Sequence, residues 1–309
     1  MPHPSQAWPP VFCEAERVAW RDDGTGAVRA ATRMGRAIPE ETPIAFSYEG
    51  VGYAVMMATP ADLEDFAVGF SLSEGIVASA QQIVAIETVA SESGIVLRIG
   101  LDAAPAASFW ERRRYLAGLV GCGLCGIETL AQAVRRPPRV RARLRVAGNA
   151  IVAAMAALPA AQPINRLTGA LHAAAFWTPD DGIVAVREDV GRHNALDKLI
   201  GAVARAGRSG AEGAVLLTSR VSVEMVQKTA VLGASMLVAV SAPTALAVRA
   251  ARAANIALVA VARADGFDVF SYPERFIAGD VSPRPRAKMS HPAGSEPKAM
   301  ATKVLPALG

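Results

Sequence analysis

At 309 residues with 52% hydrophobic content, the chain can bury a sizeable core and should form one large folding region and a smaller one. No apolar run reaches the roughly 18 residues of a membrane span, and MPHPSQAWPP at the start lacks a charged-then-apolar leader pattern. The formal net charge of +4 resides wholly in the last residues, where Arg284, Arg286, Lys288, Lys298 and Lys303 face only Glu296, so the body is charge-balanced and nucleic-acid binding is not indicated.

Residues 1–26 read as irregular. Ile44 to Ala58 reads as two apolar strands around Glu49-Gly50, a hairpin. TPADLEDFAVGFSLSEG then predicts a helix with Thr59 as N-cap, Pro60 in the first turn, Asp62, Glu64 and Asp65 near the positive end of the dipole, and Gly75 as terminator. Strands near Ile83–Val89 and Ile95–Ile99 complete a small α+β region.

Between two helical patterns, Phe109–Leu119 and Ile127–Arg136, lies GCGLCG, which sets Cys122 and Cys125 at Cys-x-x-Cys spacing among three glycines. Flanking glycines favour access to the sulfurs, and a thiolate's reactivity follows its pKa and access rather than packing. Half a zinc site, a redox dithiol and a persulfide relay compete here. Zinc needs four ligands, and Cys13, His3, His172, His193 and His291 stand at no ligand spacing, so no structural metal is expected. A redox pair of thioredoxin type would open a helix directly after a strand, whereas helix precedes this one. Spacing alone leaves redox chemistry and sulfur transfer level. Three cysteines, two of them a reactive pair, suit a reducing, cytoplasmic compartment.

RVRARLRV (Arg139 to Val146) alternates as a strand would, placing Arg139, Arg141, Arg143 and Arg145 on one face, either solvated or a docking surface for an acidic partner. After Gly148 the order is regular: HAAAFWT and IVAVRED as an antiparallel hairpin, a helix over 194–206, then strand 214–219, helix 223–232, strand 236–241, helix 245–254 and strand 256–263. Repeated strand-helix units predict a largely parallel sheet with helices on both faces. The divisions expected are therefore 1–26, a small α+β region 27–148 with the cysteine loop at 121–126, an α/β ligand-binding domain 149–280, and a disordered basic tail 281–309.

In such sheets ligands bind beyond the carboxyl ends of the strands, where helix N-termini offer free N–H groups to anions. The polar residues cluster at these ends: Arg192 and His193, then Ser219 and Arg220, then Ser241 and Thr244, then Arg263 to Gly266. For single residues capping or core packing is an adequate explanation, and Asp197 with Lys198 reads as an exposed helix pair. The coincidence at several strand ends favours a pocket.

GCGLCG, LTGALHAAAF (Leu167–Phe176), EDVGRHNALDKLIG (Glu188–Gly201), TSRVSVEMVQK (Thr218–Lys228), SAPTALAV (Ser241–Val248) and MATPADLEDFAVGF (Met57–Phe70) together resemble the formate dehydrogenase accessory sulfurtransferase family, FdhD. The resemblance implies a cytoplasmic homodimer whose large domain is a three-layer α/β/α sandwich similar to cytidine deaminases, with a smaller α+β region. It implies sulfur taken as a persulfide from a cysteine desulfurase and passed to the molybdenum (or tungsten) bis(molybdopterin guanine dinucleotide) cofactor, bound transiently before formate dehydrogenase receives it. By position, the family's persulfide-bearing cysteine corresponds to Cys122, with Cys125 as second thiol. Its cofactor stretch corresponds to Val261, Ala262, Arg263, Ala264, Asp265 and Gly266; His172 and His193 are candidates for proton handling or cofactor contact. Where the family has a second glycine this chain has Ala170, and where it has an arginine closing the cofactor stretch this chain has Gly266. No His-x-Glu or Pro-Cys-x-x-Cys pattern accompanies the deaminase-like fold. A cofactor chaperone without sulfur transfer and a dithiol oxidoreductase are the alternative functions.

Overall fold

The computed structural model describes residues 8–22, 28–107 and 137–277; Cys122, Cys125, the helical patterns flanking them and the tail from 281 lie outside these. The amino-terminal residues expected to be irregular include a strand. β1 (Phe12–Asp22) pairs antiparallel with β2 (Val28–Pro39) as a two-stranded ribbon. Val18, Trp20 and Met34 on it are exposed and none of its described side chains is fully buried; cross-strand backbone pairing makes the ribbon.

The hairpin at 44–58 forms as β3 (Thr42–Tyr48) and β4 (Val51–Ala58). Glu49 and Gly50 both have positive φ, 50° and 77°, the geometry of the two-residue turn whose twist matches its strands. β5 (Ile83–Ser91) and β6 (Gly94–Leu101) extend this to a four-stranded sheet ordered β4-β3-β6-β5. Ile44, Phe46 and Tyr48 alternate inward and are fully buried beneath α1 (Leu63–Ser73), whose Phe66 and Phe70 rings lie 5.0 and 4.2 Å from that of Phe46. The helix starts later than Thr59 suggested: its N-cap is Asp62, at φ 53°, without a side-chain cap. Thr59 is instead tied to the second sheet, as described below. Gly75, at φ 68°, follows the helix end as expected.

The arginine segment is not a strand. Arg139, Arg141, Arg143 and Arg145 do share an exposed side, but the chain there joins no ladder until β7 (Val146–Ala147), a short partner of β14 (Phe276–Ile277). The chain continues through α2 (Gly148–Ala157) and α3 (Pro163–Thr168) into β8 (His172–Thr178), β9 (Gly182–Asp189) and α4 (Arg192–Arg205). β10 (Ala214–Leu217), α5 (Val223–Leu232), β11 (Met236–Ala239), α6 (Ala245–Ala254), β12 (Ala257–Arg263) and β13 (Gly266–Val269) follow.

The large sheet runs β13-β12-β11-β10-β8-β9, and only the β10-β11 and β11-β12 pairings are parallel. It is thus mixed rather than largely parallel, because hairpins close both edges and short connections force antiparallel neighbours. Because β10, β11 and β12 advance in one direction, successive right-handed crossovers put α5 and α6 on the same face as α4. Leu196, Leu199, Val226 and Ala251 pack there on Phe176, Val215, Leu237 and Leu258. The opposite face is covered by Ile151 and Met155 of α2 against Trp177, Leu216, Val238 and Val259, which makes three layers. The small and the large sheet belong to one compact unit, Met1–Gly279. No helix among the described residues is long and apolar enough to cross a membrane.

Candidate functional site at the carboxyl ends of the large sheet

α1 and α4 bring the small sheet against the large one through glycine. A Cβ on Gly69 would lie 1.7 Å from the Asp197 carbonyl oxygen, and one on Gly201 would lie 1.9 Å from that of Asp65, so the two backbones touch. Arg187 and Arg205 flank the crossing, each donating to the buried Asp65 carboxylate at 2.6 Å.

Beside it lies a buried polar knot. The fully buried Lys198 ammonium donates to Asp189 Oδ2 at 2.6 Å and to the Thr59 carbonyl at 2.8 Å. Asp189 also accepts from Thr59 N (3.1 Å), Gly191 N (2.8 Å) and Asn194 Nδ2 (3.0 Å), and Asn194 donates in turn to the Met57 carbonyl at 2.8 Å. Burial pulls the Lys198 pKa below the ordinary lysine value, against the pull of Asp189. Asp197, 1% exposed, binds Lys228 at 2.6 and 2.8 Å. The pair expected to be an exposed helix face is therefore internal. The apolar stripe of α4 did not predict this, since a long amine buries only with the right partners. Glu188 is structural as well, accepting from Ile164 N and Asn165 N at the start of α3.

This knot fixes Gly191, the N-cap of α4, and hence Arg192 and His193 in its first turn. His172 opens β8 opposite Asp189, and Ala173 N donates to Thr218 Oγ1 at 2.8 Å, so His172 sits beside the end of β10. Burial, then the Arg192 charge, lowers the His172 pKa below 6.5. His193 Nε2 lies 2.5 Å from Glu224 Oε2 of α5, and this contact holds the Glu224 carboxyl below its usual range. Two buried side-chain atoms lack a hydrogen-bond partner among the described residues here, Arg192 Nε and, at the N-cap of α5, Ser222 Oγ, whereas His193 Nε2 is engaged by Glu224. Buried polar groups are nearly always satisfied; such a cluster at one sheet edge is what a polar ligand would complete.

The loops after β10, β11 and β12 are laced together: Val221 N donates to Ala242 O, Thr244 N to Val221 O, and Val261 N to Ser241 O. Ser219 is buried and its hydroxyl donates to the Arg220 carbonyl at 3.0 Å, while Arg220 is exposed with no carboxylate among the described residues within 4.0 Å. Thr244 accepts from Ala247 N at 3.2 Å and so caps α6. Val261 to Gly266 spans the end of β12 and the start of β13. Val261 and Ala262 form an irregularity in β12, Arg263 pairs with Gly266, and Ala264-Asp265 is the turn into β13. Val261 has φ 54°, a left-handed conformation that a β-branched residue rarely adopts. The structure thus gathers His172, Arg192, His193, Ser219, Arg220, Ser241, Thr244 and the Val261–Gly266 hairpin on the carboxyl-end edge. Cys122 and Cys125 lie outside the described residues. Sequence reasoning missed Glu224, whose helix spacing alone looks solvated, and the structural service of Thr59 and Lys198.

Residues 39–277 match the FdhD/NarQ family model. A protein of Agrobacterium fabrum named sulfur carrier protein FdhD is 56% identical over 243 residues, 78% of this chain and 90% of that protein. Its namesake in Bordetella petrii is 48% identical over 250 residues, 81% and 90%. A crystal structure described as a formate dehydrogenase accessory protein from Desulfotalea psychrophila shares the fold, with a TM-score of 0.67, 23% identity, and coverage of 87% of this chain and all of that one. The chain belongs to the FdhD/NarQ family.

Proposed function

We propose that this chain is a sulfur carrier serving formate dehydrogenase, with Cys122 as the thiol that carries sulfur and the strand-end pocket as the place where the guanine dinucleotide cofactor is held as cargo. The family and the names of its relatives support the sulfur-carrier role. The observation that favours the pocket is the pair of buried atoms without a hydrogen-bond partner among the described residues, Arg192 Nε and Ser222 Oγ, beside the exposed Arg220. Guanidinium and hydroxyl donors at helix starts suit phosphate oxygens, and the cofactor is rich in them.

The loading step needs only a thiolate. Cys122 Sγ attacks the outer sulfur of a desulfurase persulfide, the donor S–S bond breaks, and the donor cysteine leaves as thiolate while Cys122 keeps the sulfane sulfur. Cys125, three residues on in the sequence, would shelter or resolve the product. The pocket binds, orients and keeps the cargo's phosphates fixed; the metal supplies the rest of the chemistry when bound.

Incubation with a cysteine desulfurase and sulfur-labelled cysteine tests the reading, followed by mass spectrometry of the peptide holding Cys122 and Cys125. Gain of one sulfur atom on Cys122 is expected, and a Cys122→Ala chain that accepts label equally well would overturn it. Calorimetry with GDP tests the pocket: Arg220→Ala should weaken binding by roughly ten- to a hundredfold, and equal binding of ADP would remove the guanine assignment.

A further inference from the structure

The arginine segment crosses beneath the large sheet at the end opposite the pocket. Val140 N donates to Ala254 O at 2.9 Å, its carbonyl accepts from Asn255 Nδ2 at 2.8 Å, and Leu144 N donates to Ser235 Oγ at 2.9 Å. Ser235 and Asn255 stand just before β11 and β12, so this is the amino-terminal edge. Val140 packs on one face of the sheet and Leu144 on the other, leaving Arg139, Arg141, Arg143 and Arg145 outside.

Arg139, Arg143 and Arg145 line a groove of about 490 Å³ with Asn255, Tyr272, Glu274 and Arg275. Four guanidiniums against one carboxylate leave it at +3. Arg275 is 4% exposed, donates to the Ser235 carbonyl and Asn255 Oδ1 at 2.6 Å each, and lies 4.6 Å from the Tyr272 ring centroid. Among the described residues no carboxylate comes within 4.0 Å of any of the four arginines. Burial first, and also the charge of Arg143, depress the pKa of Arg275. Charged edges commonly serve only to repel other strands, but that role needs no buried guanidinium lacking an anion, which is costly.

The geometry points to a docking groove for an extended acidic segment of a partner protein, separate from the strand-end pocket. Successive alternate side chains on an extended chain stand about 7 Å apart, so Arg143 and Arg145 match acidic residues at alternate positions of an extended peptide. The backbone groups of Arg141 and Arg143 have no hydrogen-bond partner among the described residues and can pair with such a strand. The chain's own tail, at +4, has the wrong sign, so the occupant belongs to another protein. Docking there would leave the opposite edge free for cargo.

Fluorescence anisotropy of a labelled eight-residue peptide alternating Glu and Val, titrated with the full chain at low salt, tests this. Binding is expected to weaken by about ten- to a hundredfold in Arg143→Gln/Arg145→Gln. The charge-matched Arg98→Gln/Arg249→Gln should bind as wild type, and GDP affinity should be the same in all three. No binding to the wild type, equal weakening by both double variants, or displacement of the peptide by inorganic pyrophosphate at stoichiometric concentration would each overturn the proposal, the last by making the groove a phosphate site. The substituted side chains are exposed, and matching melting curves confirm that the fold is kept.

Discussion

Lys198→Met should be among the most damaging single changes in the described chain. The ammonium is fully buried, donates to Asp189 Oδ2 and the Thr59 carbonyl, and lies over the Phe66 ring with Nζ 5.3 Å from its centroid. Methionine matches its length but leaves the Asp189 carboxylate in the interior without a counter-ion. Removing one partner of a buried pair costs about 3–5 kcal/mol, or roughly 6–20 °C in Tm for a chain of this size. Replacing both charges often restores stability in isolated pairs, but here Asp189 also accepts from Thr59 N, Gly191 N and Asn194 Nδ2. Asp189→Leu/Lys198→Met would orphan the Thr59 and Gly191 N–H groups and one N–H of Asn194, each at about 1–3 kcal/mol, so the double variant should be no more stable than the single one. Urea denaturation, with m-values compared to confirm an unchanged transition, measures both. A single-variant loss under about 1 kcal/mol, or a double variant with wild-type stability, would refute the account of the knot.

Cys122→Ala should fold and melt as wild type yet fail to activate formate dehydrogenase, and normal activation in a deletion strain would remove the relay. Gly201→Ala should cost several kcal/mol in thermal melting, because its new methyl meets the Asp65 carbonyl at 1.9 Å and neither helix backbone can yield cheaply; a near-neutral result would mean the helices can separate. His172 has a lowered folded-state pKa, so between its ordinary value and the folded one the unfolded chain binds more protons, and stability falls as pH falls through 6.5. Urea midpoints at about pH 7.5 and about pH 5.5 should show this slope flattened in His172→Gln; an unchanged slope assigns it elsewhere.

The strands and helices of the large sheet were legible because each is a short, self-contained pattern. The run from Ala214 to Arg263 has unbroken apolar strands and helix starts at Ser222 and Thr244; both stand at N-cap positions, and the Thr244 side chain makes the capping bond. What escaped were properties that belong to pairs distant in sequence. Lys198 reads as a solvated cation until Asp189 and Thr59 surround it, and Thr59 reads as a helix cap until its groups are claimed from 130 and 131 residues away. The parallel assignment failed for a related reason, since strand direction depends on connections at the two edges and not on the strands' own composition. The edge holding Arg192 and Ser222 was foreseeable from helix starts that follow strands, and His172 joins it because β8 runs antiparallel to β10 and begins there. The lack of directed partners for Arg192 Nε and Ser222 Oγ was not.

Val261 is where local preference and global structure disagree most plainly. A β-branched residue in the left-handed region costs on the order of 1–3 kcal/mol, yet Val261 holds φ 54° in the irregular stretch of β12, with its N–H bonded to the Ser241 carbonyl. Relaxing it would pull the turn at Ala264-Asp265 and the end of β12 away from the loop after β11, so the strain is held by the contacts between that loop and β12. Two substitutions separate strain from packing. Val261→Ala keeps the unfavourable φ and loses the methyl contacts, and should be destabilised. Val261→Gly removes the strain but adds about 0.4–1 kcal/mol of unfolded-state entropy, and should be near neutral. In an ordinary strand glycine is worse than alanine by roughly 0.5–1 kcal/mol, so the two hypotheses predict opposite orders. Chemical denaturation of both variants decides between them: if glycine is the less stable, Val261 is not strained and the β12–β13 hairpin is held by its ladder alone.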